Sequence, residues 1–336
     1  MWPGRTSRSR WWRRRSPACG AAGRGSATAG SSRCPPTTRP PRCRSRSRRV
    51  ASRTWRTEPM TREMLRVALE AVGQGRVVPY LGAGVAALGG ALASPAALSA
   101  RIEAEVRVPK RAQGNLWAAA QFVETRRFRA TLEKMVVAAF APPPGTNPIH
   151  DWLALVRPPM VIDAWYDPGL VRRFREGPAD WGLVHGVSRN GEWAEIWHRT
   201  YGPDDSPLPQ GADPGWRTLL YKPHGVAVPG HSFLVSDSDY VEVLTEIDIQ
   251  SPIPEEVRSR RTGRGFLFLG CRFDDQLLRT YARQIAKRSG QGHVAVIEGP
   301  LTRMERLFLE ELAIERIDVP LEAVIEELKT LGAPAA

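Results

Sequence analysis

Lysine is absent from the first 59 residues, and a single acidic residue, Glu58, stands there against 16 arginines. This leader carries +15 and the rest of the chain −2, so the net charge of +13 belongs to the leader alone. A nearly neutral body has no broad field to steer a polyanion, which argues against nucleic acid as its partner. Cysteine is also scarce: Cys19, Cys34 and Cys43 lie in the leader and Cys271 alone in the body. One thiol cannot build a disulfide framework, and paired thiolates at short spacing, which a structural zinc site needs, are missing. No apolar run approaches the roughly 18 residues of a membrane span, and the leader lacks the apolar stretch of a secretory signal. A cytoplasmic protein without a membrane segment is expected.

Residues 1 to 59 combine runs such as Trp11-Trp12-Arg13-Arg14-Arg15 with Pro, Ser, Gly and few aliphatics. Such a composition cannot bury enough surface to fold, so disorder is expected. A nucleic-acid-binding arm and a transit peptide are two explanations. A third, preferred here, is translation from upstream of a natural start at Met60, which falls directly before the first well-patterned helix.

From Met60 onward, segments with helical period alternate with short apolar runs. Met64, Leu65, Val67, Ala68, Leu69 and Val72 mark a helix, and Val77 to Leu81 a buried strand. Helices are expected over 94–106, 113–124, 126–140 and from Asn147-Pro148 through Leu155, with Ser94 and Pro95 as cap and first turn. A strand over Met160 to Trp165, a helix from Gly169 to Glu176, a strand over Gly265 to Leu269, a helix over 274–288, a strand at Val294 to Ile297 and a helix over 321–331 follow. This alternation implies a Rossmann-like, doubly wound, mainly parallel α/β sheet. The Gly-, Pro- and Trp-rich stretch at about 177–221 reads as an inserted variable subdomain with short strands near 182–187, 193–198 and 218–222.

Gly82-Ala83-Gly84-Val85 sits between a buried strand and a helix, where small residues let backbone N–H groups approach a pyrophosphate. A tight strand-to-helix connection needs small residues in any case, so the motif alone is weak. The acid expected about 20 residues later in a nicotinamide dehydrogenase is missing, because that region reads as helix.

Five segments in order carry a stronger signal. They are Val77 to Val85; Asn147 to His150 leading into Val161-Ile162-Asp163-Ala164-Trp165-Tyr166-Asp167; Tyr221-Lys222-Pro223-His224-Gly225; Ser236 to Tyr240; and Phe266 to Asp275. Together they resemble the bacterial sirtuin-like domain family, in a branch without a zinc ribbon. The resemblance implies NAD or an ADP-ribose derivative as ligand, bound across the strand C-termini, and cleavage of the nicotinamide–ribose bond as chemistry. It implies His224 as base and Asp167 as the final acid of the strand motif. It also implies Gly82, Ala83, Gly84 and Val85 as the phosphate turn, Trp165 at the ribose position, and Gly270, Cys271 and Asp275 at the later strand end.

Two departures bear on that chemistry. Trp165 stands where the family has an Asn, and an indole has one donor and no acceptor, so it cannot orient water as an amide does. Ala86 stands where a Ser usually follows the glycine turn. NAD binding, with weak glycohydrolase activity at most, is therefore the expectation. A degenerate structural protein that binds a partner through 177–221 is the alternative. Local readings also stay open: His224 as a loop histidine satisfied by its neighbours, Asp275 as a helix cap, and Cys271 as a small core residue.

Overall fold

The structure, a computed structural model, describes residues 59–189, 196–246 and 253–331. Residues 1–58 of the leader, with its expected disorder, lie outside the described residues, as do residues 193–195 of the strand expected at 193–198.

Helix α1 (Pro59–Gly73) leads into β1 (Val77–Leu81), which runs directly into α2 (Ala83–Leu88). A helical lobe follows, made of α3 (Pro95–Glu105), α4 (Leu116–Arg127) and α5 (Arg129–Phe140). Then come α6 (Pro148–Val156), β2 (Met160–Asp163), α7 (Gly169–Arg175), β3 (Trp181–Gly186), β4 (His198–Tyr201) and β5 (Thr218–Lys222). The chain continues through α8 (Asp237–Glu246), α9 (Glu255–Arg261), β6 (Gly265–Leu269), α10 (Gln276–Ala286), β7 (His293–Val296), α11 (Arg303–Glu311), β8 (Ile314–Ile317) and α12 (Leu321–Leu331).

Among the described residues the strands form one sheet in the order β4-β3-β5-β2-β1-β6-β7-β8. Every pairing is parallel except β3 with β4. From β1 the chain first builds outward on the β2 side and later returns to build outward on the β6 side, so the sheet reverses direction at β1. Crevices outside the strand C-termini at such a reversal are where open α/β sheets bind ligands.

Burial on both faces explains the strand sequences. Val78, Tyr80, Ile162, Phe266 and Phe268 face the core under the lobe, α10 and α11, while Leu81, Val161, Leu267 and Leu269 face the core under α1, α6, α7 and α12. This is the two-residue alternation of a strand, with apolar side chains on both sides. Phe266 and Phe268 are fully buried, each contributing about 1.5–3 kcal/mol relative to an exposed ring.

The short strands expected near 182–187 and 218–222 within the stretch 177–221 are present as β3 and β5. That stretch supplies β3, β4 and β5 to the single sheet, with β5 paired between β2 and β3. Its glycines and tryptophans serve packing: a Cβ on Gly182 would lie 2.0 Å from the Trp216 ring. The departure from plain strand–helix alternation is instead the lobe between β1 and β2. Strand β8 escaped the pattern because Glu315 and Arg316 interrupt it. It is an edge strand, and charged residues on an edge discourage pairing with another chain. No helix among the described residues is long and apolar enough to cross a membrane.

Candidate functional site

A cavity of about 270 Å³ lies over the C-terminal ends of β1, β2 and β6, bordered by the lobe and open to one side. Four helix N-termini border it: Gly82 and Ala83 at α2, Ser94 and Pro95 at α3, Asn115 and Leu116 at α4, and Asp275 at α10. Three of these starts are set by side-chain caps. Ser94 Oγ accepts from the Ala97 N–H at 3.1 Å, Asn115 Oδ1 from Ala118 at 3.1 Å, and Asp275 Oδ1 from Leu277 at 2.8 Å. Each N-terminus presents partial positive charge, so their convergence favours an anionic group.

The glycine turn has a structural cause beyond any ligand. A Cβ on Gly82 would stand 2.5 Å from the Gly270 carbonyl oxygen, and one on Gly84 2.9 Å from Gly270 Cα. Gly270 itself has φ +64°, and a Cβ there would meet the Val85 nitrogen at 2.4 Å. The ends of β1 and β6 thus approach too closely for side chains. The amides of the turn are partly committed: Gly82 donates to Leu269 O at 2.9 Å, Gly84 to Gly270 O at 2.9 Å, and Val85 to Gly82 O at 3.0 Å.

Of the eight ligand-contact residues expected from sequence, Gly82, Ala83, Trp165, Gly270, Cys271 and Asp275 line the cavity. Gly84 packs against Gly270, and Val85 is buried in the core on the opposite face of the sheet. Trp165 is part of the wall. Its Nε1 donates to Leu92 O at 2.8 Å, and its ring meets Phe140 edge-on at 6.0 Å. Trp117 and Tyr80 add two further aromatic side chains to the lining. Burial pushes the Cys271 thiol well above its ordinary range, so this residue is a neutral wall element rather than a nucleophile. Arg272 is gripped by Glu305 through contacts of 2.8 and 2.9 Å, itself positioned by the capping box of α11.

The two residues expected to be catalytic stand elsewhere. Asp167 Oδ2 accepts from the Gly169 N–H at 2.9 Å, fixing the start of α7, and its carbonyl accepts from Lys222 Nζ at 3.0 Å. His224 is buried behind the lining, with Nδ1 2.8 Å from the Tyr240 hydroxyl and its ring 4.7 Å from that of Tyr281. Burial, aided by the nearby Lys222 charge, lowers its pKa to about 3, so the imidazole is neutral. Among the described residues its Nε2 has no hydrogen-bond partner.

Sequence reasoning passed over the pair that organises this side of the sheet edge. Lys222 at the end of β5 and Asp163 at the end of β2 form a fully buried ion pair. Burial raises the Asp163 pKa while the Lys222 ammonium opposes the rise. Asp163 Oδ1 also accepts from the Trp165 N–H at 3.2 Å. The pair therefore holds the 163–167 turn that carries Trp165 into the wall. A charged residue closing each of two otherwise apolar strands was the signal available in the sequence.

A mainly parallel, doubly wound sheet with a cavity over its reversal point defines a Rossmann-like α/β domain. Within that class, residues 159–317 match the SIR2-like domain family. The matched segment runs from the entry to β2 through β8, and the glycine turn and the helical lobe precede it. No curated protein matches the chain.

Proposed function

We propose that the cavity over β1 and β6 binds NAD or an ADP-ribose derivative, and that binding rather than cleavage is its main activity. The convergence of four helix N-termini on a cavity at the reversal point of a sirtuin-like domain carries this reading. Phosphate charge would be met by helix ends, because the nearby Arg272 is held by Glu305. Trp117, Trp165 and Tyr80 would supply aromatic surface for the base and ribose. The volume of about 270 Å³ sits at the lower edge of ligand pockets, about 300–1,000 Å³. It suits a nucleoside-sized part of a dinucleotide, with the remainder along the open mouth.

Cleavage would break the nicotinamide–ribose bond and pass the ribose carbon to water. Three features weigh against it: Trp165 supplies no acceptor to orient water, its ring forms the wall, and His224 and Asp167 lie outside the lining. Calorimetric titration of the protein with NAD and with ADP-ribose tests binding, and no saturable heat with either ligand sinks the proposal. Nicotinamide release tests the second half. Robust release that vanishes in His224→Ala would make cleavage the main activity, whereas release rising in Trp165→Asn would identify the indole as the block.

A further inference from the structure

His224 and two tyrosines form a chain whose proton directions follow from the only group in it that cannot donate. The Tyr166 hydroxyl lies 2.7 Å from Leu234 O, a carbonyl that can only accept, so Tyr166 donates there. Tyr240 lies 3.2 Å from the Tyr166 hydroxyl and 2.8 Å from His224 Nδ1. Because the Tyr166 proton is committed, Tyr240 donates to Tyr166 and accepts from a protonated Nδ1. We infer that Tyr240, backed by Tyr166, is a positioning residue that locks His224 in the Nδ1-protonated tautomer and leaves Nε2 as a bare, buried lone pair.

The opposite arrangement costs more. If Tyr240 donated to Nδ1, the proton would sit on Nε2, which lacks a partner among the described residues. A buried N–H without an acceptor is among the rarest defects in proteins, and an unmet acceptor is better tolerated. In the assigned arrangement every proton of the chain has an acceptor. All three side chains are buried, so water does not compete for them. The neutral imidazole then keeps Nε2 as a fixed acceptor lone pair. Its surroundings suit that state, since burial holds the His224 pKa at about 3 and pushes the Tyr240 hydroxyl well above its ordinary range.

The inference concerns the buried cluster beside the proposed nucleotide site, and the tautomer is measurable without any ligand. The experiment is long-range proton–nitrogen NMR on the full chain carrying nitrogen-15 histidine, with His224 assigned by the signals lost in His224→Gln. The expected spectrum has Nδ1 at the protonated, pyrrole-type position and Nε2 at the pyridine-type position. Tyr240→Phe keeps the ring and removes the acceptor, so it should abolish the pure Nδ1-protonated pattern. Tyr166→Phe should preserve it, because the Tyr240 hydroxyl can turn its proton to Leu234 O, 3.4 Å away. Protonated Nε2 in the unaltered protein overturns the proposal even if neither variant folds. So does a Tyr240→Phe spectrum unchanged from it, or equal loss in both variants. Absence of NAD binding would remove the nucleotide reading and leave the tautomer assignment standing.

Discussion

The two sides of the sheet's C-terminal edge are built on opposite principles. Around β1 and β6, side chains are withheld: Gly82, Gly84 and Gly270 let the strand ends nearly touch, and a cavity remains above them. Around β2 and β5, side chains fill the edge: Asp163 pairs with Lys222, and His224, Tyr166, Tyr240 and Tyr281 pack into a sealed aromatic cluster. One side offers space whose charged lining residues, Arg272, Asp274 and Asp275, lie at its β6 end, the other charge and hydrogen-bonding groups without space. A site that binds a ligand and also cleaves it needs both together, and Trp165 stands between them.

Lys222→Met should break the comparison most severely, because it leaves Asp163 buried without its cation. A loss of about 3–5 kcal/mol is expected in urea unfolding. Much of it should return when Asp163→Asn is added, since the replaced pair no longer strands a charge. Gly270→Ala attacks the other side. Its φ of +64° and the 2.4 Å approach to the Val85 nitrogen imply at least about 1–3 kcal/mol of strain. It should also reshape the cavity floor and lower affinity in the same titration that detects NAD or ADP-ribose.

A pH series sharpens the contrast, since the buried histidines lie away from the cavity. His224 and His185 are held at about 3 and His150 at about 4, each chiefly by burial. Folded pKa values below the unfolded value of about 6.5 mean that the unfolded chain binds more protons in between. Stability should therefore be complete above about pH 6.5 and fall as the pH drops toward 4. Each such histidine contributes a slope of up to about 1.4 kcal/mol per pH unit. His150→Gln should flatten the curve by one such increment, and an unchanged slope would contradict the assigned neutrality. Ser94→Ala, which removes the 3.1 Å cap at the start of α3, should cost about 1 kcal/mol by thermal unfolding. That is the smallest effect, and it falls wholly on the cavity side.

Much of this architecture could be read from local signals. The run Gly265 to Leu269 coincides with β6, the Gly82 turn does separate β1 from α2, and Asp275 does cap α10, as its position before a periodic helix indicated. Local composition carries less where sheet order decides the role of a segment. The stretch 177–221 looks like an insertion because it is rich in glycine and proline, yet the register of Leu220 with Val161 and Leu183 draws it into the sheet. Glu315 and Arg316 hide β8 because an edge strand has no need of continuous apolar residues.

The sequence by itself determined most of the strands, the capped helix starts and the need for small residues after β1, because period, caps and turn chemistry act over a few residues. Only the tertiary structure decided which groups meet. The pairing of Leu81 with Leu269 brings Gly82 against Gly270, and the placement of β5 beside β2 brings Lys222 to Asp163. That same placement sets His224 and Asp167 outside the cavity that Trp165 helps to line. Such meetings depend on sheet order and register between segments far apart in the chain, and no local pattern carries that information.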